Sequence, residues 1–203
     1  SILMSPIAFL QRPARWLEAI SRHKVTTSGA PNFAYELCTR KVSEEERSNL
    51  DLSSWQVAYS GAEPVHIETL NHFAEEFAPY GFNPRALVPS YGLAESTLVV
   101  TTSKMDSPVK SLSVSRSALG QSRVVPITDD SDNSSSLRLT SVGQAAGELD
   151  VRIVDYDTLT AVPENRVGEI WIKGQSVAQG YYGNEEATEA TFKAHLSDTG
   201  EGP

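Results

Sequence analysis

The stretch Trp55-Gln-Val-Ala-Tyr-Ser-Gly-Ala-Glu-Pro-Val-His-Ile-Glu-Thr-Leu-Asn-His-Phe-Ala-Glu-Glu-Phe77 decides the fold class. Residues 55–59 read as a strand, 60–64 as a tight turn of small residues, and 67–77 as a helix. Ile67, Leu70, Phe73, Ala74 and Phe77 fall on one helical face, the clearest amphipathic pattern in the chain. Upstream, 13–23 reads as a helix with Trp16, Leu17 and Ile20 on one side. Residues 24–28 are short and β-branched, hence a strand. Asn32 is placed to cap a helix whose Phe33, Leu37 and Cys38 share a face, and 43–50 reads as a solvated charged segment. Downstream, 86–88 is a short buried strand. This alternation predicts a layered α/β unit with much parallel pairing.

The second half differs. Residues 98–102, 111–114, 124–125, 137–140, 149–154 and 169–172 are strand-like and separated by polar breaks. Residues 149–155 alternate as a half-exposed antiparallel strand does. A short helix is expected over 184–192. The acidic and serine-rich tract 129–136 reads as a mobile loop. These patterns place a boundary near Thr101, between an α/β part at 1–100 and a β-rich part at 101–203.

Composition narrows the class. The chain has 203 residues, 39% hydrophobic and 21% charged, within the range of globular proteins. No run of 18 apolar residues occurs, so no membrane span is expected, and the first residues lack the basic-then-apolar order of a secretory signal. Net charge is −9; only residues 1–50 carry a basic excess, 7 basic against 5 acidic groups, which argues against a dedicated nucleic-acid binder. The single cysteine, Cys38, forbids an internal disulfide and a cysteine-built zinc cage, and suits a reducing, cytoplasmic setting. His23, His66, His72 and His195 show no metal-ligand spacing.

Three segments are suited to chemistry. In 60–64, the small residues let a flat ligand approach the backbone, and the following helix start offers free N–H groups; an ordinary strand-to-helix turn reads equally from these residues and is commoner. Tyr91-Gly-Leu-Ala-Glu-Ser-Thr97 follows a strand's C-terminal end, where open α/β sheets bind ligands. There Tyr91 is suited to stack on a base and Glu95 to hold Mg²⁺, while a tight turn with a surface glutamate is the plain alternative. Ser28-Gly-Ala-Pro-Asn-Phe-Ala-Tyr35 mixes small and large residues, as an apolar channel mouth does; the alternative makes Phe33 and Tyr35 plain core. A fourth segment, Gly168-Glu-Ile-Trp-Ile-Lys-Gly174 followed by Ala178-Gln-Gly-Tyr-Tyr-Gly183, reads as structural. No hydrolase, P-loop, dinucleotide or CxxC signature is present.

In this order, the segments at 60–64, 91–97, 168–174 and Ser176-Val-Ala-Gln-Gly-Tyr181 resemble the acyl-adenylate-forming ligases. Met4-Ser-Pro-Ile-Ala-Phe-Leu-Gln-Arg-Pro-Ala-Arg-Trp-Leu-Glu-Ala-Ile-Ser21 and the 28–35 segment look like the fatty acyl-AMP ligase branch. The resemblance implies part of a layered α/β subdomain followed by a distorted β-barrel subdomain. It implies activation of a fatty acid with ATP and Mg²⁺, and transfer to the phosphopantetheine thiol of an acyl carrier protein. By motif match, Gly61, Ala62 and Glu63 contact the adenine edge and Tyr91 stacks on it. Gly92, Leu93, Ala94 and Ser96 approach the nucleotide, and Glu95 holds Mg²⁺ as the catalytic carboxylate. Ser28, Gly29, Ala30, Asn32, Phe33 and Tyr35 shape the acyl site.

Residues at about 102–142 resemble the insertion that separates this branch from acyl-CoA synthetases, which implies a carrier protein rather than CoA as acceptor. The family's phosphate-binding loop and acyl-site histidine belong upstream of Ser1, and its ribose-binding aspartate and catalytic lysine beyond Pro203. The chain is therefore expected to be an internal piece of the large N-terminal domain, inactive by itself. An acyl-CoA synthetase piece and a non-catalytic acyl- or nucleotide-binding module are the competing readings.

Overall fold

The computed structural model describes residues 1–128 and 135–202; most of the acidic tract expected as a mobile loop therefore lies outside the described residues. Contacts divide the chain into two units. The first comprises Ser1–Ser90, Ser103–Ser111 and Thr140–Gly143; the second comprises Tyr91–Thr102, Leu112–Leu139 and Gln144–Pro203.

In the first unit, helices α1 (Pro6–Gln11) and α2 (Ala14–His23) precede strand β1 (Thr27–Ala30), and α3 (Asn32–Lys41) and α4 (Glu44–Arg47) follow it. Strand β2 (Val57–Ser60), helix α5 (Ile67–Phe77) and strand β3, which begins at Leu87 and runs on to Leu93, complete it. β1, β2 and β3 pair in parallel, with Ser28 opposite Ala58 and Tyr59 opposite Val88. The five apolar positions of α5 are all buried, as their spacing requires. Leu70, Phe73, Ala74 and Phe77 meet Tyr35 and Cys38 of α3, Leu17 and Ile20 of α2, and Trp55 in one core. The Tyr35 and Trp55 rings stack at 6.3 Å, and Phe73 meets both edge-on. Each such aromatic contributes about 1.5–3 kcal/mol by leaving water.

Several local expectations change. β1 starts at Thr27 because Lys24 ends α2 in the left-handed region, at φ 48°, and the chain must turn first. Asn32 does not cap α3. Pro31 occupies the cap position, and the Asn32 amide oxygen instead accepts the backbone N–H of His66 at 3.1 Å. The buried face of α3 carries Ala34, Tyr35 and Cys38, while Phe33 points out. The charged stretch after Lys41 folds into α4, closed by a reciprocal cap in which Ser43 and Glu46 each bond the other's backbone N–H.

The second unit is richer in β structure. Strands β4 (Leu98–Thr102), β5 (Ser111–Ser115), β6 (Ser136–Thr140), β7 (Gln144–Ala145), β8 (Asp150–Val154) and β9 (Glu169–Lys173) accompany helices α6 (Arg116–Leu119) and α7 (Glu185–Phe192). β4 pairs with β7, β5 with β6, and β8 with β9. The β8–β9 pairing is antiparallel, with Arg152 opposite Trp171. Val124 and Val125 form no strand: Val124 N–H bonds Asn165 while the Val125 carbonyl takes Ser115 N–H, so two separate neighbours divide them. Val100, Val114, Val154, Phe192 and Leu196 are buried here.

Candidate active site

In the first unit, the segments at 28–35 and 60–64 are tied together. Glu63 Oε1 accepts the Phe33 backbone N–H at 2.6 Å, satisfying a donor that the first turn of α3 leaves open. The Asn32–His66 bond is a second tie. Gly29 is required by packing, because a Cβ there would lie 2.3 Å from the Tyr59 carbonyl oxygen and 2.4 Å from its ring. Gly61 lies as close to β3, where a Cβ would stand 2.7 Å from the Ser90 carbonyl oxygen. Ala62 is held at φ 66°, an uncommon conformation for a residue with a Cβ.

The large residues of the proposed acyl segment part company. Tyr35 is fully buried and its hydroxyl donates to the Tyr59 carbonyl at 2.7 Å; burial pushes its phenol well above the ordinary range. It supports the segment from the core. Phe33 is 46% exposed and meets the Phe9 ring edge-on at 6.5 Å. Ser28 Oγ is engaged by the Trp16 indole N–H at 2.9 Å, at the start of the run that ends in Ala30.

In the second unit, Tyr91, Gly92 and Leu93 continue β3 rather than follow it, and Ala94–Ser96 form one 3₁₀ turn. Gly92 is forced by close approach: a Cβ would lie 1.7 Å from the Leu98 carbonyl oxygen. The turn then passes through two non-glycine residues at positive φ, Thr97 at 50° and Leu98 at 91°. Each costs of order 1–3 kcal/mol, strain that persists only where the surroundings impose it. Here the imposing partner is the segment read as structural. The Glu95 carbonyl takes Ala178 N–H at 2.7 Å, and Thr97 Oγ1 donates to the Ser176 carbonyl at 2.7 Å. The Tyr181 hydroxyl donates to Glu95 Oε1 at 2.6 Å. That bond holds the Glu95 carboxyl below the usual carboxylate range and raises the Tyr181 phenol in turn. Ser176, Ala178 and Tyr181 are thus site residues that sequence reasoning passed over; the pairing spans 86 positions, and no local spacing announces it.

Glu95 and Ser96 line a cavity of about 690 Å³ in this unit, together with Arg152, Trp171, Lys173 and His195. Arg152 forms ion pairs with Asp150 and Glu201, which raise its guanidinium further. Among the described residues no group of three or more His, Cys, Asp or Glu could cage a metal. Asp150, Glu169 and Glu201 also line the cavity, Asp150 and Glu201 being paired with Arg152. Glu95, on a turn with the Ser96 and Thr97 hydroxyls, suits Mg²⁺, which keeps several waters and is held largely through substrate phosphates.

Residues 1–182 match the family described as AMP-binding enzymes. The chain belongs to that family. Among its AMP-binding relatives, the medium-chain-fatty-acid–[acyl-carrier-protein] ligase JamA of Moorena producens (strain JHB) is 46% identical over 201 residues, covering 99% of this chain and 34% of JamA. The crystal structure of the fatty acid AMP ligase from Legionella pneumophila matches with a TM-score of 0.91 at 42% identity, over 96% of this chain and 33% of that one. A fatty acyl-adenylate ligase from L. pneumophila, in complex with acyl adenylate and pyrophosphate, matches with a TM-score of 0.89 at 43% identity, over 97% and 34%. The expected α/β fold of the acyl-adenylate-forming enzymes is therefore the fold found. The chain spans about a third of the length of these relatives.

Proposed function

We propose that this AMP-binding chain is part of a fatty acyl-AMP ligase. The reaction joins a fatty acid carboxylate oxygen to the α-phosphorus of ATP, breaks the bond to the β,γ-diphosphate, and releases pyrophosphate. The phosphopantetheine thiol of an acyl carrier protein then attacks the acyl carbon, loses its proton and forms the thioester as the bond from the acyl carbon to the phosphate oxygen breaks and AMP leaves. The observation that carries this reading is the Glu95 carboxylate, kept ionised on a pinned turn at the end of β3 and facing a cavity. Support comes from a similar chain crystallised with acyl adenylate and pyrophosphate, and from a carrier-protein ligase among the relatives.

The residue roles carry over by motif match. Glu95 holds the Mg²⁺ of the nucleotide, with Ser96 and the backbone of Gly92, Leu93 and Ala94 beside the phosphate. The bound ion supplies neutralisation of charge on the departing pyrophosphate. Gly61, Ala62 and Glu63 present backbone to the adenine edge, and Tyr91 offers a half-buried ring to stack on it. Ser28, Gly29, Ala30, Asn32 and Phe33 shape the acyl site, with Tyr35 as its support. Catalysis by these groups is positioning and charge stabilisation. Residues at about 102–142, which carry β5, α6 and β6, are the insertion that disfavours CoA as acceptor. The two units are the α/β and barrel-type parts of the ligase, working in the cytoplasm.

The test is ATP–pyrophosphate exchange by the complete ligase with a fatty acid. Glu95→Ala is expected to lower exchange by about 10²–10³-fold, the scale set by removing a charge-stabilising group. Thioester formation is then followed with CoA and a carrier protein competing. Carrier-protein thioester is the expected product, and abundant acyl-CoA would overturn the assignment of acceptor. Absence of fatty-acid-dependent exchange would overturn the ligase reading altogether.

A further inference from the structure

Two adjacent tyrosines close the loop before α7, and they behave differently. Tyr182 is fully exposed. Tyr181 is held at several points, while the residue remains 38% exposed. Its backbone N–H donates to Thr188 Oγ1 at 2.9 Å, inside the first turns of α7. Its ring meets the buried Phe192 edge-on at 5.2 Å. Its hydroxyl ends on Glu95 Oε1 at 2.6 Å, a charge-assisted distance. Gly180 makes this placement possible: it sits at φ 148°, and a Cβ there would fall 2.3 Å from the Thr188 methyl.

A residue that only filled the core would bury its ring, and one that only closed a loop would not need a hydroxyl. The hydroxyl instead occupies one oxygen of the carboxylate assigned to the cation. The Glu95 carboxylate also takes its own backbone N–H. The oxygen that the phenol does not occupy, Oε2, is the one offered to Mg²⁺. A glutamate on an exposed turn otherwise samples many rotamers, and up to about 2 kcal/mol of side-chain freedom is lost when one is selected. The phenol selects one before any ligand arrives. The backbone bond from Ala178 N–H to the Glu95 carbonyl and the bond from the Thr97 hydroxyl to the Ser176 carbonyl hold the same turn without Tyr181, which acts on the carboxylate.

We propose that Tyr181 is a positioning residue for Glu95, orienting its carboxylate so that one oxygen is committed to the phenol and the other to the nucleotide-bound Mg²⁺. This rests on the reading of Glu95 as the Mg²⁺-holding carboxylate. Partners of this kind change metal affinity by about 10–100-fold when removed.

Tyr181→Phe keeps the ring against Phe192 and deletes only the hydroxyl. In the complete ligase, the Mg²⁺ concentration for half-maximal ATP–pyrophosphate exchange is expected to rise about 10–100-fold, with kcat recovered at saturating Mg²⁺. Mn²⁺ binding in the presence of ATP, read by electron paramagnetic resonance, is expected to weaken by the same factor without any turnover. Thermal unfolding reports whether the loop remains docked, and Tyr181→Leu gives the reference for a lost ring. If Glu95→Gln weakens Mn²⁺ binding and Tyr181→Phe does not, the positioning role is wrong and the assignment of Glu95 stands. If neither variant changes Mn²⁺ binding, the assignment of Glu95 falls first. A Tyr181→Phe enzyme with lowered kcat at every Mg²⁺ concentration and a lowered Tm would show a purely structural hydroxyl.

Discussion

Glu63 closes the start of the helix that follows Pro31: its Oε1 accepts the Phe33 N–H at 2.6 Å, across 30 positions of sequence. The side chain after a strand-end turn thus does the work usually left to a cap residue. Loss of a cap costs about 1 kcal/mol, so Glu63→Ala should lower the urea midpoint of the chain correspondingly. The same bond joins the turn assigned to adenine with the segment assigned to the acyl chain. In the complete ligase, KM for ATP and KM for fatty acid should rise together. A change in one alone would show that the two segments are positioned independently.

Gly92 is the least substitutable glycine described. Gly92→Ala puts a Cβ 1.7 Å from the Leu98 carbonyl oxygen, a backbone atom that cannot rotate aside. Relief requires parting the end of β3 from the strained turn at Thr97 and Leu98. Overpacking costs about 1–3 kcal/mol where a core can yield, and more is expected here. Gly147→Ala is the control: nothing lies within 4 Å, and only the φ of 60° is unfavourable. Circular-dichroism melts should show a large fall in Tm for Gly92→Ala and a small one for Gly147→Ala.

Cys38 is sealed in the core between α2, α3 and α5. Burial pushes its thiol up to about 12. The reactive thiolate is therefore scarce at pH 8, and the sulfur is out of reach. Iodoacetamide should leave the folded chain unmodified and label it once after denaturation, as mass spectrometry reads directly. Labelling of the native chain at the denatured rate would refute this packing.

Asp51 links the end of α2 to the loop before Trp55. It pairs with Lys24 and accepts Ser53 Oγ at 2.6 Å and Ser53 N–H at 3.1 Å. The Lys24 bond first, and Ser53 next, hold its carboxyl well below the usual carboxylate range. A carboxyl depressed in the folded state stabilises fully above its unfolded value of about 3.9, and that contribution disappears as pH falls. Asp51→Asn should therefore melt below the native chain at pH 7, with the difference closing as the pH drops from about 4 toward 2. A gap unchanged at low pH would mean that shape, not charge, is lost.

Legibility in the sequence followed the range of the interactions. The α5 face could be read because its five apolar positions repeat at helical spacing within one short segment. The antiparallel pairing of 150–154 was readable from alternation, and β9 from its run of apolar residues. The face of α3 could not be read, because the residues that bury Tyr35 and Cys38 and leave Phe33 outside lie far from α3 in the chain. The amide of Asn32 suggested a cap, yet the partner that claims it is His66. Tyr181 reaches Glu95 from 86 positions away, and nothing near either residue signals the other. The strand character of Tyr91–Leu93 was hidden by Gly92, whose lack of a side chain is what lets β4 come close.

The interleaving of the two units has an engineering corollary. The polypeptide passes from one to the other after residues 90, 102, 111, 139 and 143. A chimaera joined at any single point would thus inherit a first unit without its later returns, or a second without its opening strand. Recombination that transfers the first unit between related chains must carry 103–111 and 140–143 along with the first ninety residues. The segment is inherited most safely as one block.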